Sequence, residues 1–157
     1  MHGRGQGHDT PLHWAQNVAK LLLNHGADVD AREHYEFTPL HRAKNEALVK
    51  LLLDHGADVR VRDGYHETPL HCARNVAMAR LLVNRGAYVT AVNMRGQNAL
   101  HYAAMKARLD LCMFLVSRGL YQNIADNEGK TALTLYGHRL SPPLTDEQKK
   151  RRPLSSS

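Results

Sequence analysis

Four histidines stand in one register, His13, His41, His71 and His101, each closing a recurring phrase: Thr-Pro-Leu-His at residues 10–13, 38–41 and 68–71, then Asn-Ala-Leu-His at 98–101. Imidazole is the commonest metal ligand and the side chain that titrates nearest neutrality, so a chain with eleven histidines raises metal and acid–base chemistry first. The spacing argues against both. A metal needs several donors converging on one point, whereas one histidine per stacked unit makes a ladder with rungs about 10 Å apart. The four histidines are therefore read as structural, and His25 and His55, at the ends of apolar runs, as partners of a helix C-terminus. Other chemistry is as poorly served. There is no Gly-x-Ser-x-Gly elbow, no HExxH and no cysteine pair at zinc spacing, and the glycine-rich stretch at 3–7 lacks the Lys-Ser/Thr of a phosphate loop. No catalytic residue, cofactor or metal is expected.

The elements that carry these histidines repeat. With a fifth, degraded phrase at Thr131, the restarts are 28, 30, 30 and 33 residues apart. That is the mark of one supersecondary unit being stacked. In the unit beginning at Thr38, Thr38 is a natural N-cap and Pro39 suits the first helical position. Leu40 and Ala43 share a face of this short first helix, and Asn45 is suited to the left-handed conformation that would end it. Leu48, Leu51 and Leu52 mark a second helix, with Gly56 just past its end. Val59 and Val61 then alternate into the turn formers Asp63 and Gly64, an extended or hairpin-like finger. Ala15, Ala43, Ala73 and Ala103 hold one position where first helices must approach closely, and Tyr136 in the fifth phrase is read as the end of the stack.

The chain has 157 residues, 43% of them hydrophobic, enough for one continuous core. Its longest apolar runs are far short of the roughly 20 residues a bilayer span requires, and residues 1–9 do not read as a signal peptide. Cys72 and Cys112 form no disulfide framework and are expected to be packed thiols, which suits an intracellular, cytoplasmic protein. Of the net charge of +6, the last thirteen residues hold +2 and the body a mixed +4.

The unit resembles the ankyrin repeat. The matching residues are Thr-Pro-Leu-His-x-Ala from Thr10, Thr38 and Thr68, Leu-Leu-Leu-x-His-Gly-Ala-Asp-Val from Leu21 and Leu51, and Arg-Gly-Ala-x-Val from Arg85. The resemblance implies an all-α solenoid of about 4.5 helix pairs joined by hairpin-type fingers, with the first-helix imidazoles bonded to finger backbone. It also implies a surface that holds another protein. The units fall at 10–37, 38–67, 68–97, 98–130 and a partial 131–139 within a repeat domain of 10–139, preceded by a glycine-rich 1–9. Only the fourth has the family's full length. From Thr to the helix-ending glycine the span is 21 residues in unit four, 18 in units two and three and 16 in unit one, so the first helix or its turn is trimmed, and unit one should be the loosest. Glu36 and His66 also replace the turn glycine that Gly96 and Gly129 supply, so those two tips are expected to need another turn geometry.

Partner-binding candidates follow from exposure and residue type. The successive finger tips carry Tyr35 with Phe37, Tyr65 with His66, and Met94 with Arg95, types enriched at interface centres. Trp14, Arg42 and Tyr102 share a first-helix register facing the concave groove, although Trp14 equally suits a cover for the N-terminal edge. The expected partner is one protein bound by a monomer, with no membrane and no small-molecule substrate. Asn123 matches the hairpin asparagine that similar repeats can present to an asparagine hydroxylase, without the acidic residue often found nearby. Beyond the repeats, residues 140–152 read as a capping segment in which Thr145 and Gln148 open a short helix, and 153–157 as a disordered tail. Lys149, Lys150, Arg151 and Arg152 fit a helix C-terminus and also match a nuclear-import cluster, or a nucleic-acid adaptor as the alternative function; no aromatic residue interleaves them for stacking.

Overall fold

A capping side chain, from Thr38, Asn45, Asn75 or Asn98, marks the start of four of the described helices. In the computed structural model, which describes residues 11–140, the helices are α1 (Pro11–Asn24), α2 (Pro39–Arg42), α3 (Glu46–Asp54), α4 (Val76–Asn84), α5 (Ala99–Met105), α6 (Leu109–Ser117) and α7 (Ala132–Leu140). The side chains of residues 11–14 and 138–140 lie outside the described set, as do the terminal segments that hold Lys149, Lys150, Arg151 and Arg152 and the expected capping helix. Thr38 and Asn98 cap α2 and α5 with extended backbone, as their phrase foretold. Asn45 does not. It sits at φ −145°, ψ 162° and caps α3, its Oδ1 accepting the Leu48 N–H at 2.8 Å. Asn75 does the same for α4 through Met78 at 2.9 Å. A short amide side chain can end one helix or start the next; here an orphan N–H outbids the left-handed turn.

The missing residues come out of the first helix, as the spans imply. Unit four keeps a seven-residue α5, unit two a four-residue α2, and unit one has no break at all, one helix of 14 residues running from Pro11 through Asn24. Unit three has only turns over residues 69–72, where His71, Cys72 and Ala73 donate to the carbonyls three residues back. Arg108 of the longer unit four reaches across to the freed Ala73 carbonyl at 3.0 Å.

The second helices end alike. Ala57, Ala87 and Leu120 donate to Leu52, Leu82 and Leu115 in Schellman closures, and those three leucines are the buried centre of the stack. The buried face of α3 is Val49, Leu52 and Leu53, while Leu48 and Leu51 are half-buried at its margin. Leu22 holds the place of Leu52 but is 55% exposed, and Ala15 is exposed where Ala43, Ala73 and Ala103 are buried. Among the described residues unit one therefore lends the core less than the internal units do, since leucines left exposed bury little apolar area. At the other end α7 packs on α5, and Tyr136 shares an apolar cleft of about 260 Å³ with Leu109, Cys112, Met113, Val116 and Leu133.

Candidate interaction surface

The fingers are built by one bonding scheme applied four times. Glu33, Asp63, Asn93 and Asp126 each donate their N–H to the carbonyl four residues on, at 2.9, 3.0, 2.9 and 2.8 Å, closing a narrow hairpin. Neighbouring fingers then join through single backbone bonds: Gly64 N–H to the Tyr35 carbonyl (2.8 Å), Met94 to Tyr65 (3.1 Å) and Asn127 to Arg95 (2.9 Å). Two arginines add a clamp. Arg32 donates to the Arg62 carbonyl and Arg62 to the Val92 carbonyl, at 3.2 and 2.9 Å, each guanidinium spanning to the equivalent residue of the next finger. The described fingers hold one isolated bridge, Ala125 with Thr131, and no extended strand ladder.

Inside three fingers a short acceptor side chain braces the turn. Asp63 Oδ1 accepts from Tyr65 and Glu67, Asn93 Oδ1 from Arg95 and Gln97, and Asp126 Oδ1 from Glu128 and Lys130, all at 2.8–3.0 Å. In the first finger Glu33 stands at that position, and its carboxylate instead accepts from Arg42 Nε at 2.8 Å. That turn is the most distorted, with Tyr35 at φ 59° as well as Glu36 at φ 62°.

The expected change of turn geometry holds for one tip of the two: the first finger winds His34–Glu36 into a 3-10 turn with Tyr35 also left-handed, whereas the His66 tip keeps the turn of the glycine fingers. Glu36 and His66 (φ 62° each) take the left-handed conformation of Gly96 (φ 71°) and Gly129 (φ 76°) despite their side chains. Two hairpin bonds and a link to the next finger over-determine the backbone, so it imposes the conformation and the residue carries the strain.

Tyr35 (56% exposed) and Tyr65 (46%) stack across neighbouring fingers with ring centroids 5.7 Å apart and planes 25° apart, and Met94 (61%) stands on the third. His66 and Arg95 are exposed beside them. Phe37 is half-buried, folded edge-on to His41 at 5.9 Å, with the Arg42 guanidinium 4.4 Å over its ring. Arg42 is exposed, so Glu33, Phe37 and Arg42 form one cluster. Tyr102 is taken up internally. Its hydroxyl donates to Glu67 Oε1 and accepts from Asn93 Nδ2, its ring meets His71 edge-on, and burial with the Glu67 bond pushes its pKa up. Trp14 lies on α1 with its side chain outside the described set, and Asn123 is exposed in unit four, in the segment after α6.

The repeated imidazoles are spent on scaffold. His41, His71 and His101 place Nε2 at 3.0, 2.9 and 3.2 Å from the carbonyls of Glu67, Gln97 and Lys130, while Nδ1 accepts the N–H of Thr38, Thr68 and Asn98. A carbonyl on one side and an N–H on the other fix the Nε2–H tautomer. Each histidine thus staples the start of its unit's first helix, or of the turns that replace it in unit three, to the end of the following finger. Among the described residues no three His, Cys, Asp or Glu side chains converge as a metal site would need. Burial raises the Cys72 thiol to about 12 and lifts Cys112 as well, so neither is a nucleophile near neutral pH.

The residue pattern left several groups unremarked: the Arg32 and Arg62 clamps, Glu67 as the anchor of Tyr102, and the exposed Tyr88 and Tyr121. A tabulation of each repeat position would have shown the last two, since tyrosine stands there where the first two units have Asp28 and Asp58.

Among known proteins, a family model described as ankyrin repeats (3 copies) matches residues 2–63 and 19–93, and a model of the single ankyrin repeat matches 95–127. A curated relative, an ankyrin repeat protein of Rickettsia bellii (strain RML369-C), is 52% identical over 42 residues, which is 24% of this chain and 18% of the relative.

Proposed function

This chain belongs to the ankyrin repeat family, a non-enzymatic interaction fold, and from that premise we propose that it is a non-catalytic scaffold binding one partner protein along its finger tips and the adjoining concave surface. The observation that carries the proposal is the Tyr35–Tyr65 stack: two large rings, exposed, held in register by the Gly64 to Tyr35 backbone bond, with Met94 continuing the row. Rigid aromatic side chains lose little entropy on binding and are over-represented among residues that dominate interface energy. Phe37, Arg42, His66 and Arg95 form the margin. Tyr102 and Trp14 are assigned to the concave side, where Tyr102 acts by stiffening the wall through Glu67.

The repeat boundaries set out above are the domain organisation we propose, with residues 140–152 capping the last unit. None of the described helices is long and apolar enough to cross a membrane. We place the chain in the cytoplasm as a monomer, with free cysteines at 72 and 112 in support; import through Lys149 to Arg152 and hydroxylation of Asn123 are secondary proposals.

The test is a quantitative affinity capture from cell extract with the intact chain and with Tyr35→Ala plus Tyr65→Ala. The double variant should keep its helical circular dichroism and lose the enriched proteins. Undiminished capture by a folded double variant would eliminate the finger row. Capture that instead collapses on raising salt and on nuclease treatment would favour the basic-tail nucleic-acid role.

A further inference from the structure

The loop that follows each second helix changes character halfway along the stack. In units one and two it begins with an aspartate, and that aspartate braces its own turn: Asp28 Oδ1 accepts the Asp30 N–H at 3.0 Å and Asp58 Oδ1 the Arg60 N–H at 2.9 Å. In units three and four the same position is Tyr88 and Tyr121. In unit three the turn itself persists, since Ala91 donates to the Tyr88 carbonyl at 3.2 Å just as Ala31 donates to Asp28. Only the side-chain brace is gone. A phenol cannot accept from the backbone two residues on, so neither tyrosine serves the local fold, and both rings stand in solvent at 58% and 72% exposure.

Charge differs along the same edge. Residues 24–32 and 54–62 mix Asp28, Asp30, Asp54 and Asp58 with Arg32, Arg60 and Arg62, whereas residues 84–92 and 117–125 contain no acid and carry Arg85, paired with Asp54 at 2.5 Å, and Arg118. Arg60 leans in from unit two, its guanidinium 4.0 Å over the Tyr88 ring and its Nε bonded to the Gly86 carbonyl at 2.9 Å. Arg118 lies over Phe114 at 5.2 Å. Val92 and Ile124 are exposed in the same two stretches. Two exposed tyrosines, each with an exposed aliphatic residue three or four positions on and an arginine near by, Arg60 at Tyr88 and Arg118 at Tyr121, thus mark units three and four.

We infer that Tyr88, Tyr121, Arg60 and Arg118 form a second docking surface, and that its occupant is an acidic protein segment carrying apolar side chains. The tyrosines would cover those side chains while the arginines meet the carboxylates, with stacked units placing the two rings about one repeat, roughly 10 Å, apart. Single-stranded nucleic acid would also stack on tyrosine, but the exposed Val92 and Ile124 beside the rings suit apolar side chains better than bases and phosphates.

The experiment uses the full chain and fluorescence anisotropy of three probes: a peptide alternating glutamate with leucine, its lysine–leucine counterpart, and oligothymidylate. The glutamate peptide should bind best. Tyr88→Asn with Tyr121→Asn, which restores a bracing side chain without adding charge, should weaken it at least about tenfold, a change well above assay error. Arg118→Gln should weaken it further and flatten its salt dependence, while the finger variant Tyr35→Ala plus Tyr65→Ala should bind it as the parent does. That last arm separates this surface from the finger proposal. The inference is overturned if the glutamate peptide fails to bind or binds no better than the lysine one. It is equally overturned if the asparagine variant retains full affinity, or if oligothymidylate binds more tightly through the same tyrosines.

Discussion

His66→Gly should stabilise this protein although it removes a side chain. His66 holds a left-handed backbone, φ 62°, where its neighbours in register are Gly96 and Gly129. A side chain there costs about 1–2 kcal/mol, because Cβ crowds the following carbonyl. Glycine returns part of that gain through greater freedom in the unfolded chain, about 0.5–1 kcal/mol. The imidazole of His66 is exposed and makes no hydrogen bond within the described residues, while its N–H to Asp63 and its carbonyl to Arg62 are backbone groups that glycine keeps. The net gain is about 0.5–1 kcal/mol, or ~2–3 °C in Tm for a chain of this size. Urea and thermal denaturation followed at 222 nm measure it.

Two companions make the reasoning refutable. Glu36→Gly has the same starting angle but gives up the Arg32 ion pair, 3.0 Å between side chains 47% and 59% exposed, and leaves Tyr35 strained beside it, so its gain should be smaller. Gly96→Ala should destabilise, because the left-handed angle there is joined by a close approach: a Cβ would meet Asn127 Oδ1 and the Asn127 nitrogen at 3.2 Å. If His66→Gly leaves stability unchanged or lowers it while Gly96→Ala is harmless, the tips are not strained and the account of finger geometry is wrong.

The end of the stack predicts unequal costs for equivalent leucines: Leu82→Ala, at 1% exposure, should cost about 2–5 kcal/mol, and Leu22→Ala in the same register less than about 1 kcal/mol, by urea titration. Acid should weaken the fold through His71, whose burial lowers its pKa in the native state. The unfolded imidazole then takes a proton first, so stability is fully present above the ordinary histidine value of about 6.5 and is lost as pH falls through and below it; denaturation midpoints at successive pH values, compared with His71→Gln, should show a shallower acid loss in the variant. Cys72, with its thiol raised to about 12, should resist iodoacetamide at mildly alkaline pH in the native protein and react in urea, and equal rates in both states would contradict its burial. Ala107→Gly, at φ 53° in the turn between α5 and α6, should be neutral to stabilising by thermal denaturation, unlike an ordinary alanine replaced in a helix.

Repetition was legible in the residues because each unit repeats the interactions that make it: a Thr or Asn cap, a histidine that staples, a leucine at the centre. What could not be read locally was the outcome of competition between units. Asn45 is equally suited to ending a helix and to starting one, and only the shortened spacing, which leaves the first helix no room for a separate turn, assigns it to the start of α3. Unit one carries the leucines of an internal repeat, yet Leu22 is exposed because burial belongs to the neighbour and not to the residue. Glu36 and His66 argued for a new turn on propensity alone; the first finger has one, and at His66 the hairpin and finger-to-finger bonds overruled it.

The departures that remain are those that weaken the scaffold. Asp63 Oδ2 is buried without a hydrogen-bond partner, whereas the matching oxygen of Asp126 accepts from Gln97 Nε2 at 2.9 Å; residue 37, which holds Gln97's place one finger back from Asp63, is a phenylalanine and has no N–H to give. Phe37 lies in the same finger as the strained Tyr35 and Glu36, and it supports the Arg42 guanidinium instead. Tyr88 similarly replaces a bracing aspartate. A sequence that specifies one fold normally satisfies local and global requirements together, and it departs from them where something other than stability is served. In units one and two those costs gather beneath the stacked Tyr35 and Tyr65, and in units three and four they fall at Tyr88 and Tyr121. The two aromatic pairs are therefore where departures from local preference gather, and the two proposed surfaces rest on them.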